Sequence, residues 1–327
     1  MVAAEEQSRP ELGRIFRDIL IFSVAASLPA FDFALFGWSA GCLPLLTFLI
    51  LYAHGMHVGN RMIVVGTLLA LAAGGIFARF EPLLVSMAML PSGYVLAQSA
   101  LRNESPARSG LKGVLALGSC WLVLMGGLGL LYGVNPYTGF LGSLDEGVSQ
   151  ALELYRESSS IDAETRAVLE SSLYQMKTVL PLILPSVLAG IALSTIWLTM
   201  ASGRRLAIAL AGKPPWPQHR LWRLPDRLVW LPIAAGVMTL LPAEQLRAVS
   251  INLLVVGCIV YWFQGLAVFS FFLHKWKLPF LLRAFLYVIV VVQSFGAVIL
   301  FGTGLADVWL DFRKIRGTAG TDSVLTS

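Results

Sequence analysis

Residues Asn252–Leu273 read NLLVVGCIVYWFQGLAVFSFFL. The stretch is apolar enough to lie in lipid, yet it carries Asn252, Tyr261 and Gln264, and Gly257 and Gly265 interrupt its bulk. On a helix, Gly257, Tyr261 and Gly265 are spaced four apart and share one stripe, with Gln264 on its edge. A face turned to lipid has no use for an amide. The stripe is therefore expected to face the protein interior, and to mark either a buried polar contact or a ligand.

The rest of the chain has the same character. Of its 327 residues, 57% are hydrophobic and 13% charged, and the mean hydropathy is +0.74. Soluble domains carry roughly 25% charged residues, so this chain has too few charges to coat a water-facing globule. Long apolar blocks alternate with short charged loops, the pattern of an all-α, polytopic transmembrane helical bundle. Blocks fall near 16–31, 37–52, 62–78, 83–101, 113–132, 178–201, 228–241, 249–273 and 280–305, which predicts eight or nine spans. The net charge of +5 invites a nucleic-acid reading. The bases sit at block ends, however, where they report orientation in a membrane, and no nucleic acid is expected. Cys42, Cys120 and Cys258 share no close spacing, so neither a disulfide framework nor a metal cluster is indicated.

Three loops add information. Residues 1–15 are polar and mixed in charge, which predicts an interfacial or disordered lead. Residues 133–177 hold seven acids and three bases, with Leu144, Val148, Leu152 and Tyr155 at helical spacing and Leu169, Leu173 and Met176 likewise. Two amphipathic helices on the outer face are expected there, broken at Ser158–Ser160. Residues 203–227 carry Arg204, Arg205, Lys213, Arg220, Arg223 and Arg227 against Asp226 alone. With the N-terminus inside, this loop, the 102–112 loop and HKWKLP all fall inside, as the positive-inside rule prefers. Nine straight spans would then put Arg313, Lys314 and Arg316 on the opposite side. Either one block does not cross fully, or the last block is a broken pair of half-helices. At ~1.5 Å per residue its 26 residues make one tilted crossing, not two.

Signatures of catalysis are missing: no GxxxxGK[ST], no HExxH and no GxSxG. The chain is not expected to be an enzyme or to hold a cofactor or metal. His54 and His57, three apart at a block end, lack a third ligand nearby and read as interfacial histidines. Asn252, Gln264, Gln293 and Gln98 suit helix–helix hydrogen bonds of ~0.6 kcal/mol each, or else the orienting of a bound solute. Asp307 and Asp311 make one acidic face next to Arg313 and Lys314. They read as a charged helix end with local ion pairs, or as an inter-helix pair with a base of the 204–227 loop. Ala26, Ala30 and Ala34 recur every fourth residue, which permits close helix contact, although Pro29 and Asp32 interrupt the pattern.

LPDRLVW (Leu224 to Trp230), Asn252 at a span start, YWFQGLAV (Tyr261 to Val268), the basic break HKWKLP and GLADVWLDFRK (Gly304 to Lys314) together resemble the YybS-like family of predicted bacterial inner-membrane proteins. The resemblance covers nearly the whole chain. It implies a distant likeness to the substrate-binding (S) components of energy-coupling-factor transporters, which have six helices, bind a small solute and dock to a membrane coupling subunit. On that model residues 1–202 are a six-helix S-like half with the insertion 133–177, and 203–227 a basic cytoplasmic loop. Residues 228–316 are added membrane helices and 317–327 a disordered tail. The departures from that plan are the added spans, the acidic insertion and Pro29 within the alanine stripe.

The resemblance implies a multi-pass protein of the bacterial inner membrane, and the charge pattern puts its N-terminus in the cytoplasm. Its partners would be membrane lipids and, for transport, other membrane subunits or a separate ATPase module. Asn252, Tyr261, Gln264, Gly265, Asp307, Asp311 and Arg313 are the candidates for ligand binding or a buried polar contact, and Ala26, Ala30 and Ala34 for helix docking. The expected function is solute binding or transport; the alternative is a membrane scaffold or envelope-assembly factor.

Overall fold

The computed structural model describes residues 2–77, 80–157 and 162–314; for 2–11, 76–77, 157, 244–245 and 294 only the backbone is described. The expected break at Ser158–Ser160 and the tail 317–327 lie outside the described residues. Every described element is helical, which follows from the apolar blocks: inside lipid a backbone must satisfy its own hydrogen bonds.

Helix α1 (Val2–Phe31) runs without a break through residues expected to form a polar lead. It stops at Asp32, whose carboxylate accepts a hydrogen bond from Leu35 N at 3.0 Å and caps the short α2 (Phe33–Phe36). Helix α3 (Leu43–Phe77) contains two of the predicted blocks. It is interrupted at Gly55, where φ is 79°, a value that favours glycine. A Cβ placed on Gly59 would lie 3.0 Å from Leu51 Cα. A straight helix would hold those residues ~12 Å apart, so the chain doubles back in HGMHVGNR. The block 83–101 forms α4 (Glu81–Met87) and α5 (Leu90–Leu101), and α6 (Pro106–Tyr132) follows.

Residues 136–211 depart most from the arrangement expected from sequence. Helix α7 (Pro136–Glu157) is the first expected amphipathic helix, but the second is not a separate element. It is the start of α8 (Ala163–Ala211), 49 residues that continue through Pro181 and Pro185 into the sixth block. At 1.5 Å per residue α8 is ~74 Å long, more than twice the ~30 Å hydrocarbon core. Ion pairs Arg156–Glu170 (3.1 Å) and Lys177–Asp145 join α7 to the first part of α8. The insertion is thus an antiparallel hairpin that grows out of a spanning helix.

Helices α9 (Trp230–Met238), α10 (Glu244–Lys275), α11 (Phe280–Val292) and α12 (Ser294–Leu310) complete the chain. The last block is broken, with α11 and α12 meeting at 96°. Among the described residues five helices are long and apolar enough to cross a membrane, or six if the bent pair is one span. They are Phe33–Gly75, Glu81–Leu101, Pro106–Tyr132, Ala163–Ala211 and Leu246–Lys275. Leu130 is 89% exposed and Leu122 77%, which suits lipid and not water.

The helices gather into two compact units. One comprises Met1–Trp121, Ile191–Val229 and Cys258–Ser327. Its core includes Phe22, Phe48, Leu51, Leu96, Ile196 and Met200. Trp216, from the basic loop, is pinned into that core: its ring stacks on Phe48 at 5.1 Å, and its indole N–H donates to Ser109 Oγ at 3.0 Å. Arg204 Nε donates to its carbonyl at 2.9 Å. Ala26 and Ala30 are fully buried, so this part of the alanine stripe is used in packing within the chain, while Ala34 is exposed. The other unit comprises Leu122–Gly190 and Trp230–Gly257, with Val148 and Leu152 buried inside it.

Candidate functional site

Helix α10 carries the two amides that the sequence marked, Asn252 and Gln264, and the structure uses them differently. They are twelve residues apart, ~18 Å along the axis.

Asn252 serves the backbone of α8. Its Oδ1 accepts from Ser186 N at 2.9 Å, and its Nδ2 donates to Leu182 O at 2.8 Å and to Ala248 O at 2.9 Å. Leu182 O and Ser186 N are the two ends of an ordinary i, i−4 helical bond. Pro185 sits between them, and a proline ring crowds the preceding turn of its helix. The Asn252 carboxamide bridges the turn at the place where a proline weakens it. Beside this bridge, α8, α10 and Tyr137 of α7 enclose an open groove of about 700 Å³, lined by Pro181, Leu182, Pro185, Val249, Leu253 and Val256 among others.

Gln264 instead serves an ion pair. Its Nε2 donates to Asp307 Oδ2 at 2.9 Å, and the same oxygen accepts from Arg313 NH2 at 2.8 Å. The Asp307 and Arg313 side chains are only 2% and 1% exposed. The remaining reach of Arg313 goes to the basic loop, where NH1 donates to Arg220 O at 2.8 Å and to Trp222 O at 2.9 Å. Asp307 is thus paired within its own segment, and it is Arg313 that contacts the 204–227 loop, through backbone carbonyls. The end of the last block therefore lies next to that loop, which nine straight spans would have forbidden. The 96° break accounts for the difference.

Glycines let these helices meet. A Cβ on Gly265 would collide with the Leu300 backbone, and one on Gly304 with the Tyr261 carbonyl. Tyr261 is fully buried in this contact. Asp311 adopts φ 41° and ψ 53°, ends α12, and turns the chain so that Arg313 folds back onto Asp307. Of the sequence candidates, Tyr261, Gln264, Gly265, Asp307, Asp311 and Arg313 belong to one constellation, whereas Asn252 belongs to the groove.

Three further residues were not marked by the sequence. Ser186 and Leu182 form the other half of the Asn252 bridge, and the clue was Pro185 facing an amide in a span. His219 accepts from Trp197 Nε1 at 3.0 Å, so its Nε2 carries no proton. Burial, and then the nearby Arg313 charge, hold its pKa down at about 4. No regular spacing connects His219 to Trp197. His54 pairs with Asp18 at 3.0 Å. Among the described residues no group of three or more His, Cys, Asp or Glu side chains could hold a metal.

A family model described as "Predicted membrane protein (DUF2232)" matches residues 19–308. The chain belongs to the DUF2232 family. The matched range includes Asn252, Gln264 and Asp307 and stops before Arg313. No curated protein and no solved structure matches this DUF2232 chain.

Proposed function

We propose that this DUF2232 protein binds a small apolar or amphipathic molecule within its membrane-spanning part, as the binding component of a transport system. The groove between α7, α8 and α10 carries this reading. It is the size of a ligand site, its walls are mostly apolar side chains, and its polar bridge holds its floor in a fixed shape. The constellation around Asp307 is closely packed and acts as a clasp for the basic loop.

The distant likeness to S components of energy-coupling-factor transporters that the sequence resemblance implies points in the same direction, with a separate ATPase module supplying energy. On this reading the chain is a multi-pass protein of the bacterial inner membrane, with its N-terminus and basic loop in the cytoplasm. Counting the two arms of α3 separately and α1 as a crossing gives seven full spans, with the nine-residue α9 and the bent α11–α12 pair as partial crossings that bring the count to eight or nine. It is not an enzyme.

The test is native mass spectrometry of the full chain from mild detergent. A reproducible small-molecule adduct, lost in Val256→Trp, supports the reading, and a clean apo mass in several detergents and lipids overturns it. The second reading, a scaffold for envelope assembly, rests on the α7–α8 hairpin and its two ion pairs. Envelope proteins that co-purify with the wild-type chain and are lost on Glu170→Lys would favour it.

A further inference from the structure

The ligand class of the groove can be narrowed from the state of its polar groups, an argument that rests on the functional reading above. Asn252 contributes its oxygen and its amide nitrogen to three backbone groups. The Ser186 hydroxyl donates to Ile183 O at 2.7 Å. A water-soluble ligand brings polar atoms that must be satisfied when they leave water, at a cost if they are not. Here the two polar side chains of the groove floor, Asn252 and Ser186, are already committed to holding α8, and apart from Tyr137 of α7 the walls are proline, leucine, valine and alanine. A hydrocarbon chain makes no such demand.

The groove's position points the same way. Its α10 wall, Ala248 to Val256, lies within the apolar span Leu246–Lys275, at the depth of the acyl chains. That wall is nine residues long and reaches ~12 Å into the span. The nearest charge before the wall on α10 is Arg247, which is exposed, and the nearest before it on α8 is Lys177. On each helix, then, the last charge before the apolar wall is a base. Lys177 is paired with Asp145, which leaves Arg247 as the base that meets a ligand there. An exposed base at the mouth of an apolar groove complements a molecule with an anionic head and a hydrocarbon tail.

We propose that the groove holds an acyl chain of an anionic membrane phospholipid, taken laterally from the bilayer, with the headgroup phosphate at Arg247. Lipid entry from the side requires no water-filled path through the protein.

The test uses the full chain in nanodiscs of phosphatidylcholine with phosphatidylglycerol, and a phosphatidylglycerol probe with a photoactivatable group on its acyl chain. Labelled peptides are mapped in the wild-type protein, which avoids dependence on any variant's folding. The expected result is labelling concentrated on 181–186 and 248–256 relative to other lipid-facing helices. Arg247→Gln, an exposed substitution, lowers labelling by the phosphatidylglycerol probe about fivefold and leaves a phosphatidylcholine probe unchanged. Even labelling along all lipid-facing helices overturns the proposal. So does a dimer in native mass spectrometry that is dissociated by Val249→Trp, since a second copy would then fill the groove. If a water-soluble adduct is retained and lost in Val256→Trp, the lipid assignment falls and the binding function stands. If neither lipid nor solute occupies the groove, both fall.

Discussion

Two amides on one helix, Asn252 and Gln264, look alike in sequence and do different work. Asn252 supports a stretch of backbone: it adds a donor and an acceptor to a turn that contains a proline, and every group it touches is neutral. Gln264 supplies one donor to a carboxylate already paired with a guanidinium. The first arrangement corrects a local defect of α8. The second holds a charge pair, a glycine-lined helix contact and the basic loop together. An intramembrane amide is thus informative only together with what lies opposite, a proline in one case and an ion pair in the other.

That contrast predicts unequal consequences. Arg313→Ala should have the largest effect, because it leaves Asp307 buried and unpaired, a loss of ~3–5 kcal/mol in reversible unfolding in detergent. Asp307→Asn/Arg313→Gln should recover most of that loss. If the single variant costs no more than a surface substitution, the clasp is not structural.

Next is the acid sensitivity of the loop held by this clasp. His219 has a folded pKa of about 4 against 6.5. The unfolded chain therefore takes up a proton on His219 first as pH falls. Its contribution to stability is complete above pH 6.5, falls between 6.5 and about 4, and is constant below. The shift of roughly 2.5 units corresponds to at most ~3 kcal/mol. Thermal unfolding in detergent from pH 7 to 4 should show a steeper decline for the wild type than for His219→Phe. Parallel curves would remove His219 from the account.

Gly265→Ala should cost ~1–3 kcal/mol by forcing α10 away from the Leu300 backbone. The same substitution at Gly126, where an added Cβ meets nothing, should be close to neutral. Equal effects would show that the α10–α12 contact is looser than described.

The smallest effect belongs to the Asn252 bridge. Asn252→Leu should cost ~1–2 kcal/mol, and less in a Pro185→Ala background, where Ser186 N and Leu182 O can pair without crowding. A double-mutant cycle measures that coupling. A coupling of zero would mean that Asn252 and the proline act independently.

Much of this was legible from residues. The spacing of Tyr261, Gln264 and Gly265 pointed inward, and the GLADVWLDFRK segment already held both members of the ion pair. The possibility of a broken last block followed from charge balance alone. Other features could not be read because they depend on long-range partners. The sixth block was read as starting near 178, yet α8 begins at Ala163 and runs through Pro181 and Pro185, and Asn252, 67 residues after Pro185, bonds to that turn. The alanine stripe read as a docking surface because sequence spacing cannot distinguish a partner protein from a neighbouring helix, and Ala26 and Ala30 meet the chain itself. The groove had no linear signature, since its walls come from three separated helices.

Helix α8 has a mechanical consequence. From Pro185 back to Ala163 it is a rod of 22 residues, ~33 Å long. The rod is stiffened by the Arg156–Glu170 and Lys177–Asp145 struts, and Asn252 grips it at the pivot. Each degree of tilt at Pro185 moves the Ala163 end by ~0.6 Å at that length. Groove and pivot share Pro181, Leu182, Pro185 and Asn252. A tilt of a few degrees at Pro185 would thus carry the hairpin tip through several ångströms, with the fulcrum beside the groove.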